Sequence, residues 1–323
     1  MKKPDPIRPL LTYAVLSFNQ EKYIRDAIES AFAQTYTPLQ IVISDDCSTD
    51  NTFGQIKEFA AMYSGPHEVI LNRSDINLGI GAHVNRVMEL ARGELIVAAA
   101  GDDISVPERT SLIASKWIEM GKKAMSFHSS VIRMDVNGGN YRLYKRAYAE
   151  KATPYDVGVN GVIIGATHAW TKRIFDVFGE LDENIVHEDN VIGFRSALLG
   201  GVYFIDEPLV HWREGGVSDL RSENDKISLH ASYYLQCLQD CNQFLKDLNI
   251  VGNTSGSLRD TITARASDFR IINAVLSNKR PYLSLLKSAS QLSLYSLKRI
   301  ISALHPWIRD SYLLAQHKLR SQI

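Results

Sequence analysis

A chain of 323 residues with 45% hydrophobic and 22% charged side chains has the make-up of a folded protein of about two domains, at roughly 150 residues each. It is neither disordered, nor collagen-like, nor a small disulfide scaffold. Its 36 basic and 36 acidic residues cancel, so no global charge field points to nucleic acid. The cancellation hides a split: from Lys279 onward eight Lys/Arg stand against Asp310 alone, which leaves +7 on the tail and −7 on the first 278 residues. Cys47, Cys237 and Cys241 are too few and too oddly spaced for a disulfide framework or a zinc site. No signal-peptide apolar core follows Met1-Lys2-Lys3-Pro4, and no run of about 18 apolar residues occurs, so a cytoplasmic location is expected.

The first hundred residues alternate strand and helix patterns. Thr12 to Phe18 reads as a strand, and Lys22 to Gln34 as a helix with Ile24, Ala27, Ile28 and Ala31 on one face. Leu39 to Ser44 reads as a buried strand, followed by a helix from about Thr52. Glu68 to Leu71 is a third strand, Gly81 to Ala91 a third helix, and Glu94 to Ala99 a fourth strand. Such alternation implies a mostly parallel α/β sheet with helices on both faces, whose ligands bind at the carboxyl ends of the strands. Pro107 opens a helix to about Met120, Ala124 to Met134 reads as a strand, and Asn137-Gly138-Gly139-Asn140 as a hairpin turn. Val191 to Leu199 is a helix and Val202 to Ile205 a strand, ended by the Asp206-Glu207-Pro208 turn. Beyond about Ser222 everything reads as helix. The expected division is a catalytic domain over 1–221, with halves of about 10–105 and 106–221, and a helical region over 222–323 that turns basic and amphipathic from 279.

Four polar clusters fall at the predicted strand ends and loops. Asp45-Asp46-Cys47-Ser48-Thr49-Asp50 follows the second strand. It suits a helix entry capped by Ser48 or Asp50, and equally a carboxylate accepting the imide N–H of a pyrimidine. Gly101-Asp102-Asp103 follows the fourth strand. Two adjacent carboxylates repel unless a cation intervenes, and a hard divalent ion bridging diphosphate oxygens would serve. A solvated loop capping the next helix is the structural alternative. His187-Glu188-Asp189-Asn190 opens a helix, where acids are favoured by the dipole alone. His211-Trp212-Arg213 is the fourth cluster; a lone histidine there is more often structural than a ligand.

Taken in order, these stretches resemble a known family. Phe18-Asn19-Gln20-Glu21-Lys22-Tyr23 through Gln34-Thr35-Tyr36, then Ile41 to Asp50, resemble the opening of the family 2 glycosyltransferases. So do Asn77-Leu78-Gly79 with Asn85, and Ala91-Arg92-Gly93-Glu94 running into Gly101-Asp102-Asp103. The likeness covers roughly residues 10–215. It implies the GT-A fold, a nucleotide-binding α/β sheet joined to an acceptor-binding half, with an all-helical C-terminal extension here. It implies a donor site of Ser17, Asn19, Asp45, Asp46, Arg73, Gly79 and Asp102, in which Asp45 and Asp46 read the base. It also implies a Mn²⁺ or Mg²⁺ ion on Asp103 and Asp102, and Asp189, with Glu188 beside it, as general base. Two departures stand out. Ala100 occupies the first position of the Asp-x-Asp-Asp form, although a shorter Gly-Asp-Asp form also occurs in the family. Trp212-Arg213-Glu214-Gly215 lacks the histidine of the Tyr-Arg-x-His run, so His211 is offered as third metal ligand and Arg213 as diphosphate contact.

The implied reaction is inverting, metal-dependent hexosyl transfer from a UDP- or dTDP-sugar to a hydroxyl of a glycan or lipid-linked glycan. Bacterial surface-polysaccharide or O-antigen assembly is the setting it suggests. A non-catalytic nucleotide-sugar-binding scaffold of a glycan-assembly complex is the competing class, supported by Ala100 and the missing histidine. A sugar nucleotidyltransferase would need a Gly-rich basic loop after the first strand, which Ser17-Phe18-Asn19-Gln20 is not. The tail reads as helix over Tyr282 to Ala303, with Leu294, Leu297, Ile301 and Leu304 as its stripe. A second segment follows from Trp307 to Leu319. Three uses are open for it: packing on the catalytic domain, homo-oligomerisation, and peripheral contact with anionic lipid on the inner face of the membrane.

Overall fold

The computed structural model describes residues 8–139, 141–145, 150–214, 226–253, 256–278 and 293–300. The chain divides into two compact units, one of Met1–Leu220 with Lys246–Gly252, the other of Arg221–Leu245 with Asn253–Ile323.

In the first unit the predicted alternation is realised as β1 (Leu11–Ser17), α1 (Ile24–Phe32), β2 (Leu39–Asp45), α2 (Thr52–Met62), β3 (Glu68–Arg73), α3 (Ile80–Leu90) and β4 (Leu95–Ala100). The four strands pair in parallel in the order β3-β2-β1-β4. All seven residues of β2 are buried, and β1 is buried apart from Leu16. That is why both read as near-continuous apolar runs rather than alternating ones. Leu11, Tyr13, Val15, Ile41, Ile43, Leu95 and Val97 form one core with Ile24, Ala27 and Ile28 of α1.

The remainder of the sheet is mixed, not parallel. After β5 (Ile104–Ser105) and α4 (Arg109–Glu119) come β6 (Ser126–Met134), β7 (Arg142–Tyr144), β8 (Lys151–Ala152), α5 (Pro154–Asn160), β9 (Ala169–Thr171), α6 (Arg173–Phe178), α7 (Glu188–Leu199) and β10 (Val202–Arg213). The order continues β4-β9-β6-β10-β5, with β7 on β6 and β8 on β10. Long β6 and β10 run parallel, while the short strands β5, β7, β8 and β9 all pair antiparallel. The β6–β7 pairing fits the expected hairpin. β5, β8 and β9, two or three residues each, are too short to leave a periodic signal.

Two sequence readings change. The Asp206-Glu207-Pro208 segment does not end a strand. β10 continues through it, absorbing the extra residues as register shifts between Ile205 and Val210, because a bulge tolerates a proline that an unbroken ladder would not. The helix expected from Val191 begins at Glu188, which draws the acidic pair into its first turn. α5 was not anticipated, although Thr153-Pro154-Tyr155-Asp156 carries its signal: the Thr153 hydroxyl accepts from the Asp156 N–H at 3.2 Å and the Asp156 carboxylate accepts from the Thr153 N–H at 2.9 Å.

In the second unit, α9 (Ser257–Leu276) buries Ile262, Ala266, Phe269, Ile272, Val275 and Leu276 along one face. Phe269 packs on Tyr234 of α8 (Lys226–Ile250) at 5.8 Å between ring centres, and Asn273 donates to the Ala231 carbonyl at 2.7 Å. Residues 294–300 are helical. There the buried positions are Ser296 and Ile300, while Leu294, expected on the apolar stripe, is 69% exposed. The rest of that stripe beyond Ile300, the segment from Trp307 and the tail's basic residues other than Lys298 and Arg299 lie outside the described residues. Among the described residues no helix is long and apolar enough to cross a membrane.

Candidate active site

The carboxyl ends of β1, β2 and β4 lie side by side, since Ser17 pairs with Asp45 and Leu16 with Ala100. Three of the four clusters read from the sequence are tied to this edge. Ser17, at the end of β1, donates to the Ser44 carbonyl at 3.1 Å. Asn19 takes a left-handed φ of 52°. Its N–H donates to Ser48 Oγ at 2.9 Å, and its side-chain carbonyl accepts from the Thr49 N–H at 2.8 Å.

The adjacent acids at the end of β2 do different local work. Asp45, fully buried, accepts from the Ser48 N–H at 2.9 Å and from the Ser48 hydroxyl, and lies 3.6 Å from Nε of Arg73. Arg73, at the end of β3, donates to the Ser48 carbonyl at 3.0 Å and covers the Phe53 ring. Asp46 reaches across to the entry of α3 and accepts from the N–H groups of Leu78 (2.9 Å) and Gly79 (3.0 Å). Gly79 has φ 77°, a backbone that favours glycine, and it is the residue from which α3 starts. One wall of the crevice is thus a hydrogen-bonded frame linking β2, β3 and α3.

Gly101-Asp102-Asp103 forms the turn between β4 and β5. Asp103 is 4% exposed and Asp102 9%. Burial, reinforced by the Asp102 charge, holds the Asp103 carboxyl well above the usual carboxylate range, against the opposing pull of the Arg213 N–H, Arg109 and Arg213. The turn is clasped by Arg213, at the end of β10. Its backbone N–H donates to Asp103 Oδ1 at 2.9 Å and its Nε–H to the Asp102 carbonyl at 3.0 Å. Nη2 pairs with Asp26 of α1 at 2.9 Å, Nη1 donates to the Val136 carbonyl at 3.3 Å, and the guanidinium covers the Tyr23 ring. The arginine offered as a diphosphate contact therefore has protein partners on every arm.

A second arginine ties together the strands on either side of the same turn, and no sequence signal marks it. Arg109 is fully buried; it donates to Ser105 Oγ at 2.9 Å and to the Ala98 carbonyl at 2.7 Å. Tyr13 donates to the same Ser105 hydroxyl at 2.7 Å. The β4–β5 turn is consequently bracketed at both ends.

His211 is placed by the β5–β10 ladder opposite Ile104, the residue after Asp103. Its ring packs edge-on against Tyr141 at 5.5 Å, and burial lowers its pKa, which favours the neutral imidazole. Among the described residues, however, no three His, Cys, Asp or Glu side chains gather into a group able to hold a metal ion. Asp102, Asp103 and His211 do not form a cage by themselves. What is present is a pair of buried adjacent carboxylates whose mutual repulsion a hard cation would relieve, the donor set of an ion that takes its remaining ligands from phosphate and water. On that chemistry the acidic turn fits Mn²⁺ or Mg²⁺.

The acidic pair of α7 comes from the other half of the unit. Asn85 of α3 donates to the Leu181 carbonyl and accepts from the Leu181 N–H, both at 2.9 Å. This reciprocal pair fastens the loop that leads into α7. Glu188 and Asp189 occupy its first turn, half-buried, and Asp189 Oδ1 accepts from the Asn190 N–H at 2.8 Å.

Known proteins share this fold. The glycosyl transferase family 2 model matches residues 13–176, just over half of the chain. An uncharacterized glycosyltransferase of Rickettsia typhi is 22% identical over 96% of this chain and 99% of its own length. An uncharacterized Mycobacterium tuberculosis protein reaches 42% identity over 89 residues, but the chain spans a quarter of that relative's length. Among solved structures, Staphylococcus aureus TarS 1-349 in complex with UDP-GlcNAc superposes with a TM-score of 0.57 at 16% identity, over 93% of this chain and 80% of that one. The Pyrobaculum calidifontis mannosyltransferase PcManGT, in complex with GDP-Man and Mn²⁺, gives 0.57 at 17% identity, over 95% and 84%. Strand ends that carry Asp45-Asp46 and Asp102-Asp103, on a sheet shared with these GT-A enzymes and under a family model spanning both clusters, make this chain a member of glycosyl transferase family 2.

Proposed function

We propose that the protein is an inverting, divalent-metal-dependent glycosyltransferase that moves a sugar from a nucleotide-diphosphate donor to a hydroxyl of a glycan or lipid-linked glycan. The observation that carries the reading is the buried Asp102-Asp103 turn at the carboxyl end of β4, clasped by Arg213 and bracketed by Arg109. The relatives support the donor class: TarS binds UDP-GlcNAc and PcManGT binds GDP-Man. A UDP- or dTDP-sugar is favoured, with bacterial polysaccharide assembly as the setting.

In this reading the nucleoside lies in the crevice walled by Ser17, Asn19, the Asp45-Asp46 frame, Arg73 and Gly79. Asp102 lies toward the ribose. A divalent ion held by Asp103 and Asp102 would neutralise charge as the diphosphate leaves. Asp189 receives the proton of the acceptor hydroxyl while that oxygen attacks C1. The C1–O bond to the diphosphate breaks, its electron pair leaves with the phosphate oxygen, and the anomeric centre inverts in one displacement. Glu188 orients Asp189 or binds an acceptor hydroxyl. Arg213 acts through the turn it holds, not on the diphosphate.

Calorimetric titration of the full chain with UDP, dTDP, GDP and CDP, with and without Mn²⁺, tests this. Binding of one nucleotide class that requires the metal and is lost in Asp103→Ala is expected. No binding to any of the four in either condition would sink the enzyme and leave a scaffold of a glycan-assembly complex.

A further inference from the structure

Gly165 opens the short 3-10 turn Gly165–Thr167 ahead of β9. Its φ is not in the left-handed region, so its backbone conformation is one that alanine adopts without strain. What excludes a side chain is space. A β-carbon on Gly165 would stand 2.7 Å from Oδ2, 3.1 Å from Cγ and 3.2 Å from Cβ of Asp189. The three nearest atoms belong to one short side chain: turning about χ1 clears Oδ2 and Cγ, while Cβ at 3.2 Å is carried by the helix backbone. Its other oxygen, Oδ1, is meanwhile held by the Asn190 N–H at 2.8 Å.

The same face of α7 carries a bare position of its own one turn on from Asp189. A β-carbon on Gly193 would meet Cγ1 of Ile163 at 2.9 Å and Cγ1 of Val157 at 3.2 Å. Positions 189 and 193 share a helix face, and that face docks at close range on the segment from Val157 to Gly165. Asp189 is therefore not a surface acid at a helix start; its carboxylate lies against a backbone from which a side chain has been removed.

We infer that Gly165 is a positioning residue for Asp189, its missing side chain setting the rotamer in which the carboxylate meets the acceptor hydroxyl. The inference rests on the reading of Asp189 as the general base. Gly165→Ala in the full chain, placed in the wild-type, Asp189→Asn and Asp189→Ala backgrounds, tests the contact by melting temperature. A fall of about 5 °C is expected in the first two, where the side chain has the same outline, and a clearly smaller one in Asp189→Ala, where Oδ2 and Cγ are gone and only Cβ at 3.2 Å remains. Equal falls in all three backgrounds would overturn the inference.

The second readout is turnover of the sugar nucleotide whose diphosphate binds in the calorimetric titration. Gly165→Ala is expected to lose roughly 10- to 100-fold in kcat with nucleotide Kd unchanged; unchanged kcat would overturn the positioning role. Full turnover by Asp189→Ala alone would instead remove Asp189 as base, a separate failure that the melting cycle does not share.

Discussion

His168, just ahead of β9, is buried with neither ring nitrogen hydrogen-bonded. Burial, reinforced by His128 and Arg109, pulls its pKa down to about 3. The unfolded chain takes up a proton near the ordinary histidine value while the folded chain does not. The ring's contribution is thus intact above about pH 6.5 and is lost as pH falls from there toward 3, at up to about 1.4 kcal/mol per pH unit. Thermal melts between pH 7 and pH 4.5 are expected to show a falling melting temperature, with a shallower fall in His168→Phe; superimposable slopes would exclude the histidine as the cause. The acids at the end of β2 illustrate the same scale differently. Asp45 and Asp46 are adjacent and nearly equally buried, yet one ties down the Ser48 turn and Arg73 while the other holds the entry of α3. Both stand out in the sequence as candidates from Asp45-Asp46-Cys47-Ser48. The division of labour does not, because it depends on Leu78 and Gly79, more than thirty residues away.

Between elements, one contact stands out for its burial. Arg195 of α7 pairs with Asp247 near the end of α8 at 2.9 Å, and both side chains are fully buried. The guanidinium also donates to the carbonyls of Gly179 (2.8 Å) and Glu180 (3.1 Å). Removing one member leaves the other charge stranded, at a cost of about 3–5 kcal/mol. Asp247→Ala is therefore expected to lower the urea midpoint sharply, and a variant with an unchanged midpoint would show that the pair adds nothing. Because α7 carries Glu188 and Asp189 on its first turn, this anchor also holds the C-terminal half of the helix that presents the candidate base. The long strands and amphipathic helices of residues 11–100 were readable because each buries a continuous face. β5, β8 and β9 were not: their places come from pairing with β10, β4 and β6, and two or three residues hold no periodicity. The β10 bulge was misread as a turn because Pro208 normally punctuates a strand.

Over the whole chain, the charge split remains the least absorbed feature. Eight basic residues against one acid from Lys279 onward are enough to draw a chain onto anionic lipid, at about 1 kcal/mol for each basic group near the surface. We propose that this tail brings the enzyme to a lipid-linked acceptor. The full chain is expected to co-sediment with phosphatidylglycerol vesicles, to be released by high salt, and to ignore neutral phosphatidylcholine vesicles. Equal recovery with both lipids would leave oligomerisation or intramolecular packing as the use of the tail. The two thiols of the second unit add no competing chemistry: burial pushes Cys237 up to about 11 and Cys241 up to about 12, far from the reactive thiolate range.

Read alone, the residues carry the α/β class, the alternation of the first four strands with helices, the acidic clusters at the strand ends and the family. Each of these is written in residues close in the chain, as hydrophobic period, turn residues and adjacent acids. It took the folded molecule to show that Arg213 clasps Asp102 and Asp103, that Asp46 holds the start of α3, and that Gly165 makes room for Asp189. Those are contacts between segments tens to more than a hundred residues apart, where a residue's role is set by what the fold packs against it and leaves no pattern among its neighbours in the chain.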